Sequence, residues 1–365
     1  MGILTSNETL AAPTMKYSES IEKVFGSRLR SRECLFSFWT HFPHVNHDAE
    51  LLAAATVELQ RTFDLDFVKT MPNCLYGIED YGAEIGLCKI TVGGDMEVLS
   101  TPFLVVDDWE KLTPTNINRG AFARELRSLS LIRKSVRDIP ILFTVYSPIT
   151  ILSKLSQGRI FEQIASHRNH EVIHRALGII TDDLNRLCKA ALELGATGIF
   201  FENHDTSRRK LCYDDFCEFV NVYDIEIFSQ AHNGKFNVLS LQGDAPRFYE
   251  FRHYPVDAIS WHFSELYPSA NTMLNSMNKC LIGGINHWHI MENDLDVLQS
   301  QINALMSAGD EMENVIVAPG YAVHQGFDTS VLHFVRDQIR SHRGNEPKKA
   351  MRHPLDRKIG PLGRM

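Results

Sequence analysis

The stretch LELGATGIFFENH (residues 192–204) carries the end of a helical pattern into a short apolar and aromatic run, 198–202, closed by the polar Asn203 and His204. A helix that ends at a glycine turn and feeds a buried strand is half of a βαβ unit. Outward from it in both directions the same alternation recurs. Upstream, residues 172–194 place Leu177, Ile180, Leu184, Leu187, Ala191 and Leu194 at three- or four-residue steps, the period of an amphipathic helix. Strand-like runs stand at 34–39 (CLFSFW), 66–71 (DFVKTM), 141–147 (ILFTVYS), 236–241 (FNVLSL), 258–263 (AISWHF), 280–285 (CLIGGI) and 315–319 (VIVAP). With 198–202 they make eight candidates, and the expected fold is an α/β protein of the (β/α)8 TIM-barrel type.

Helical patterns at 47–62, 119–137, 213–223, 295–307 and 329–340 supply outer helices, while 82–118 is less regular. No internal repeat or linker interrupts the pattern, so the expected organisation is an N-terminal extension over 1–30, a barrel over 31–342 and a flexible basic tail over 343–365. The tail holds Arg343, Lys348, Lys349, Arg352, Arg357, Lys358 and Arg364, without an apolar face.

Composition excludes several classes of function. A net charge of −8 over 365 residues offers no broad positive field for nucleic acid, and no stretch approaches the roughly 18 apolar residues of a membrane-spanning helix. The N-terminus lacks the basic and apolar regions of a signal peptide, so a cytoplasmic protein is expected. Seven scattered cysteines, an odd number, fit reduced thiols rather than a disulfide framework. There is no GxGxxG after a first strand, no GxxxxGK[ST], no HExxH, no CxxC and no GxSxG elbow.

Barrel active sites form at the C-terminal ends of the strands, which directs attention to HFPHVNH after the first strand, PNCLYGIED after the second, then YSPIT, ENHD and NHWH. Histidines concentrate there: His41, His44, His47, His204, His262, His287, His289 and His324. Imidazole moves protons near neutral pH and binds transition metals, so either role is open. Gly283 and Gly284 either leave room for a ligand near His287 or pack a barrel corner.

Several of these segments, in order, resemble the uroporphyrinogen decarboxylase superfamily, which includes porphyrinogen decarboxylases and zinc-dependent methyltransferases serving corrinoid proteins. They are HDAELLAAATVELQRTFDLDFVKTMP (47–72), YGIEDYGAEIG (76–86), ILFTVYSPITIL (141–152), LELGATGIFFENH (192–204), FNVLSLQGD (236–244), LIGGIN (281–286) and VIVAPGYAV (315–323). The resemblance implies a barrel, commonly dimeric. It also implies functional positions that this sequence fills differently. The decarboxylases carry two arginines after the first strand; here FWTHFPHVNH has none. Their aspartate after the second strand falls near Asn73, their tyrosine near Lys154 and their late histidine at Tyr321. The methyltransferase zinc ligands fall at Ser240, Gln242 and Tyr321, poor zinc donors. FFENHD matches the FESH-type strand end, aligning Glu202, Asn203 and His204.

The expected function is therefore a metal-independent carbon–carbon lyase, a decarboxylase of a small carboxylated molecule other than uroporphyrinogen. Its catalytic residues are expected at His204, Glu202 and Tyr321. Substrate contacts are expected from His41, Asn73, Tyr76, Lys154, Asn203, Asn286 and His287, with Arg119 a further carboxylate anchor. No cofactor is expected, and zinc only through a ligand set foreign to the family. Methyl transfer involving a corrinoid protein or folate is the first alternative, and a non-catalytic ligand-binding barrel the second.

Overall fold

A computed structural model describes residues 21–26, 34–87, 96–167, 169–205, 207–243, 247–264, 268–274, 276–277, 279–307 and 315–341. Most of the expected N-terminal extension and all of the basic tail lie outside the described residues. Nine strands are described: β1 (Val68–Lys69), β2 (Glu84–Leu87), β3 (Met96–Ser100), β4 (Ile141–Tyr146), β5 (Gly198–Asn203), β6 (Val238–Leu241), β7 (Ala258–Ser260), β8 (Cys280–Ile285) and β9 (Val315–Pro319). Seven of them form one curled parallel sheet in the order β1-β4-β5-β6-β7-β8-β9, so chain order is spatial order once the β2-β3 hairpin is set aside.

The first expected strand, 34–39, is present only as isolated parallel bridges pairing Phe36 with Val317 and Thr40 with Val323. The Val317 amide donates to the Leu35 carbonyl at 2.9 Å, and the Asp66 amide donates to the Phe36 carbonyl at 3.0 Å. This segment thus bonds to β9 on one side and to the residues entering β1 on the other. The antiparallel β2-β3 hairpin falls in the stretch that showed no clear period, and its exposed, mixed faces explain why.

Period-two alternation decides what faces inward. In β5, Ile199 and Phe201 join the large core beneath the helices, whereas Phe200 joins a second core with Leu35, Trp39, Phe67, Leu142, Val238, Ile282 and Ile316, inside the curl of the sheet. The helices cover the outer face with apolar stripes. His170–Glu193 buries Ile173, Ala176, Leu177, Ile180, Leu184, Leu187 and Ala191. Asp48 caps Ala49–Phe63 by accepting from the Leu51 amide, and Ser147 caps Pro148–Leu155, with the proline where its missing N–H costs nothing. No helix among the described residues is long and apolar enough to cross a membrane.

Gly283 and Gly284 have positive φ, and a Cβ at either would meet the Trp261 carbonyl or the Leu305 side chain within 2.7 Å. These glycines serve tight packing, not ligand access.

Helical residues 21–26 insert Phe25 into the inner core, edge-on to Phe67 at 6.3 Å and Phe236 at 5.4 Å. Phe25→Ala is expected to lower unfolding free energy by about 3–5 kcal/mol in urea denaturation. A loss near zero would show that this segment is not part of the core.

Candidate active site

Alternation carries the inner face of the sheet into polar residues at its C-terminal end. Phe67, Lys69 and Met71 share one face, as do Leu142, Thr144 and Tyr146, then Phe200, Glu202 and His204 beyond β5. Phe67, Leu142 and Phe200 stay in the inner core, while Lys69, Met71, Thr144, Tyr146, Glu202 and His204 line a cavity of about 510 Å3 together with Trp39, His41, Gln242, His287, Trp288, Tyr321 and His324.

The floor is an ion pair. Lys69 Nζ stands 3.0 Å from Glu202 Oε1, and both side chains are under a tenth exposed. The ammonium also lies 4.8 Å from the centre of the Phe200 ring and 5.5 Å from that of Trp39, within cation–π range. The other carboxylate oxygen meets His204 Nε2 at 3.3 Å. His204 is placed by its backbone amide, which donates to Thr150 Oγ1 at 3.1 Å, and by the edge-on ring of Tyr146. Lys69, Glu202 and His204 thus form a continuous line from the floor to the half-exposed imidazole.

Burial acts on each of these groups. At Glu202 it opposes the charge, but Lys69 and the bond from His204 outweigh it and hold the carboxyl well below the usual carboxylate range. At Lys69 burial is the larger influence and lowers the pKa against the pull of Glu202. The asymmetry follows from partners: Lys69, His204 and Ser240 all favour the carboxylate, whereas Glu202 is the one charged partner of the ammonium. Burial also lowers His204, with Glu202 opposing and Lys154 assisting.

The opposite wall is aromatic and imidazole-rich. Tyr321 stacks on His262 with ring centres 3.8 Å apart and meets His287 at 5.2 Å, while His324 adjoins His287 and Trp288. His262 Nδ1 faces the Gly320 carbonyl at 3.4 Å. Burial, then the neighbouring His324 and His262, lower His287 to about 4, so it is neutral near pH 7.

A family model described as uroporphyrinogen decarboxylase (URO-D) matches residues 26–342. The chain belongs to the URO-D family. No curated protein matches this URO-D family member significantly. Among solved structures it resembles a methyltransferase from Methanosarcina mazei, at 17% identity and a TM-score of 0.75 over 90% of this chain and 99% of that one. It also resembles a B12-independent methionine synthase from Shewanella sp. W3-18-1 in complex with selenomethionine, at 13% identity and a TM-score of 0.52, covering 81% of this chain and 87% of that one. At these identities the likeness is one of fold.

Of the site residues expected from sequence, His204, Glu202, Tyr321, His41 and His287 converge on the cavity of this URO-D protein. The others do not line it. Asn73 is fully buried, its amide donating to Glu79 at 2.9 Å and its oxygen accepting from the Leu75 amide, so it holds a turn. Tyr76 donates its hydroxyl to the Thr144 carbonyl at 2.7 Å. Asn203 has the opposite parity to Glu202, so it points into the helical layer and donates to Asp224 at 3.0 Å. Asn286 caps the helix His287–Met291 through the Trp288 amide. Lys154 donates to the Cys74 carbonyl at 2.9 Å and lies over Tyr146 at 4.6 Å. Arg119 precedes the helix Gly120–Ser135, also away from the cavity lining.

Sequence reading missed Lys69. The available signal was a lysine at the centre of DFVKTM, on the face shared by Phe67 and Met71, which demands a buried counter-charge once that face is known to point inward.

The family's zinc positions do not fit zinc here. Ser240 lies at the end of β6 beside Glu202, Gln242 lines the cavity and Tyr321 stacks on His262; none supplies a thiolate or imidazole. Among the described residues no group of three or more His, Cys, Asp or Glu is arranged to hold a metal.

The depressed Glu202 pKa sets a pH dependence. Its stabilising contribution is complete above the unfolded carboxylate value of roughly 4.3 and is lost as pH falls from there toward the folded value. Urea melts of the wild type are therefore expected to lose stability more steeply on acidification than those of Glu202→Gln. Parallel pH profiles would contradict the assignment.

Proposed function

We propose that this URO-D family protein is a carbon–carbon lyase, a metal-independent decarboxylase of a small carboxylated molecule other than uroporphyrinogen. The observation that supports the reading is the Lys69–Glu202–His204 line across the cavity floor. The reading takes the whole fold as a (β/α)8 barrel in which the bonded segment 34–40 occupies the eighth strand position.

Decarboxylation breaks the bond to the carboxylate carbon, releases carbon dioxide and leaves an electron pair that needs a sink, then a proton. Lys69 is the sole lysine or arginine among the described residues that line the cavity, and electron density at a substrate carbon above it is drawn toward its charge. His204 delivers the proton; a burial-lowered imidazole is a strong acid once charged. Glu202 orients that imidazole, and Tyr321 offers a hydroxyl to a substrate oxygen.

A single cation that already faces Glu202 leaves the many carboxylates of a porphyrinogen without counter-charges. Methyl transfer is what the neighbours' names suggest; Ser240, Gln242 and Tyr321 speak against the zinc-thiolate form of it.

The test is carbon dioxide release from a panel of carboxylated aromatics, pyrroles and keto acids. Release is expected with at least one class, and His204→Ala is expected to lower it by about 10²–10⁴-fold. No release from any class, or full activity in His204→Ala, would sink the reading.

A further inference from the structure

Resting on that reading, we propose that Lys69 acts covalently: its amine forms an imine with the ketone of a β-keto acid, and the protonated imine is the electron sink for decarboxylation.

Three features of the site point this way. Lys69 Nζ sits at the bottom of a cavity open at the C-terminal ends of the strands, so a carbonyl carbon entering the cavity can approach it from above. Its other surroundings are the rings of Phe200 and Trp39 and the Met71 sulfur, 3.1 Å away. These contacts leave Nζ away from water, and that burial outweighs the pull of Glu202 and lowers the Lys69 pKa toward the neutral amine that a nucleophile requires. Third, the proton that must leave has a route, because Glu202 touches Lys69 at 3.0 Å through one oxygen and His204 at 3.3 Å through the other. A lysine serving only to neutralise Glu202 would need neither the cavity nor the imidazole.

The steps balance without an external oxidant or reductant. The Lys69 ammonium passes a proton through Glu202 to His204, and the free amine adds to the ketone carbon. The carbinolamine oxygen takes protons and leaves as water, giving a protonated imine. The bond to the carboxylate carbon then breaks, carbon dioxide departs, and its electron pair moves through the α-carbon into the C=N bond to form a neutral enamine. His204, charged by the Lys69 proton or by solvent, protonates the α-carbon. Water hydrolyses the imine and returns Lys69 and the shortened ketone. The net reaction takes up one proton and converts a β-keto carboxylate into a ketone and carbon dioxide.

The scheme gives the three residues separate signatures. Lys69→Arg keeps a positive charge facing Glu202 but cannot form an imine. Glu202→Gln keeps the shape but removes the carboxylate that holds Lys69 charged and orients His204, so adduct formation is expected to persist at lower pH than in the wild type while carbon dioxide release falls.

The experiment is reductive trapping on the full-length protein. Acetoacetate and a set of larger β-keto acids are added with sodium cyanoborohydride, and intact mass and peptide mapping read the adduct while carbon dioxide release is followed in parallel. The expected result is one stable alkyl adduct, mapped to Lys69, and loss of both adduct and release to background in folded Lys69→Arg. Carbon dioxide release from a β-keto acid with no adduct, or with an adduct on another lysine, would overturn covalent catalysis while leaving the lyase reading in place. Release only from substrates lacking a ketone would overturn it as well. Absence of both release and adduct would overturn the two together.

Discussion

An ammonium and a carboxylate 3.0 Å apart inside a ring of aromatic side chains constrain everything around them. Taking one charge out of water costs several kcal/mol, and removing the partner of a buried pair typically costs about 3–5 kcal/mol. The pair therefore ties β1 to β5 across the interior, although β4 lies between them in the sheet. It also fixes the parity of both strands. A one-residue slip of β5 would turn Glu202 into the helical layer and bring Asn203 to face Lys69. The aromatic rings of Phe200 and Trp39 around Nζ keep the neighbourhood dry, which strengthens the Coulomb attraction and lowers the lysine pKa at once.

The URO-D scaffold and its chemistry separate cleanly in this chain. What the family fold contributes is a parallel sheet with a cavity at the C-terminal strand ends. What differs is the furniture of that cavity: no arginine after the first strand, no thiolate at the zinc positions, and a wall of imidazole and aromatic rings in which His287 is neutral near pH 7. Such a wall has polarity and proton-transfer capacity with little net charge. Among the described lining residues the one lysine or arginine is Lys69, already compensated by Glu202. A carboxylate brought to Lys69 would have to compete with Glu202, which faces it at 3.0 Å.

Much of the fold was legible in the sequence because buried parallel strands are nearly continuous apolar runs, and seven of the eight expected ones appear where those runs stand. The eighth, 34–39, has the same apolar character but pairs only at isolated bridges, a matter of hydrogen-bond geometry that side-chain pattern does not report. The hairpin at β2 and β3 escaped because neither strand buries a face completely. At the site, residues at strand ends were legible by position, as with Glu202 and His204. Asn203 and Asn73 were not, since parity and a local turn decide where a buried amide points. Lys69 escaped for the opposite reason: a lysine inside an apolar strand reads as a snorkelling surface residue until the inward face is known.

The central claim is that Lys69 and Glu202 form one energetic unit on which the site rests. A double-mutant cycle with Lys69→Met, Glu202→Gln and the combined variant, read by urea denaturation at neutral pH, measures their coupling directly. The account predicts that each single variant is strongly destabilised and that the double variant recovers much of the loss, with a coupling energy of about 2–3 kcal/mol. Additive effects, with a coupling within about 0.5 kcal/mol of zero, would contradict it.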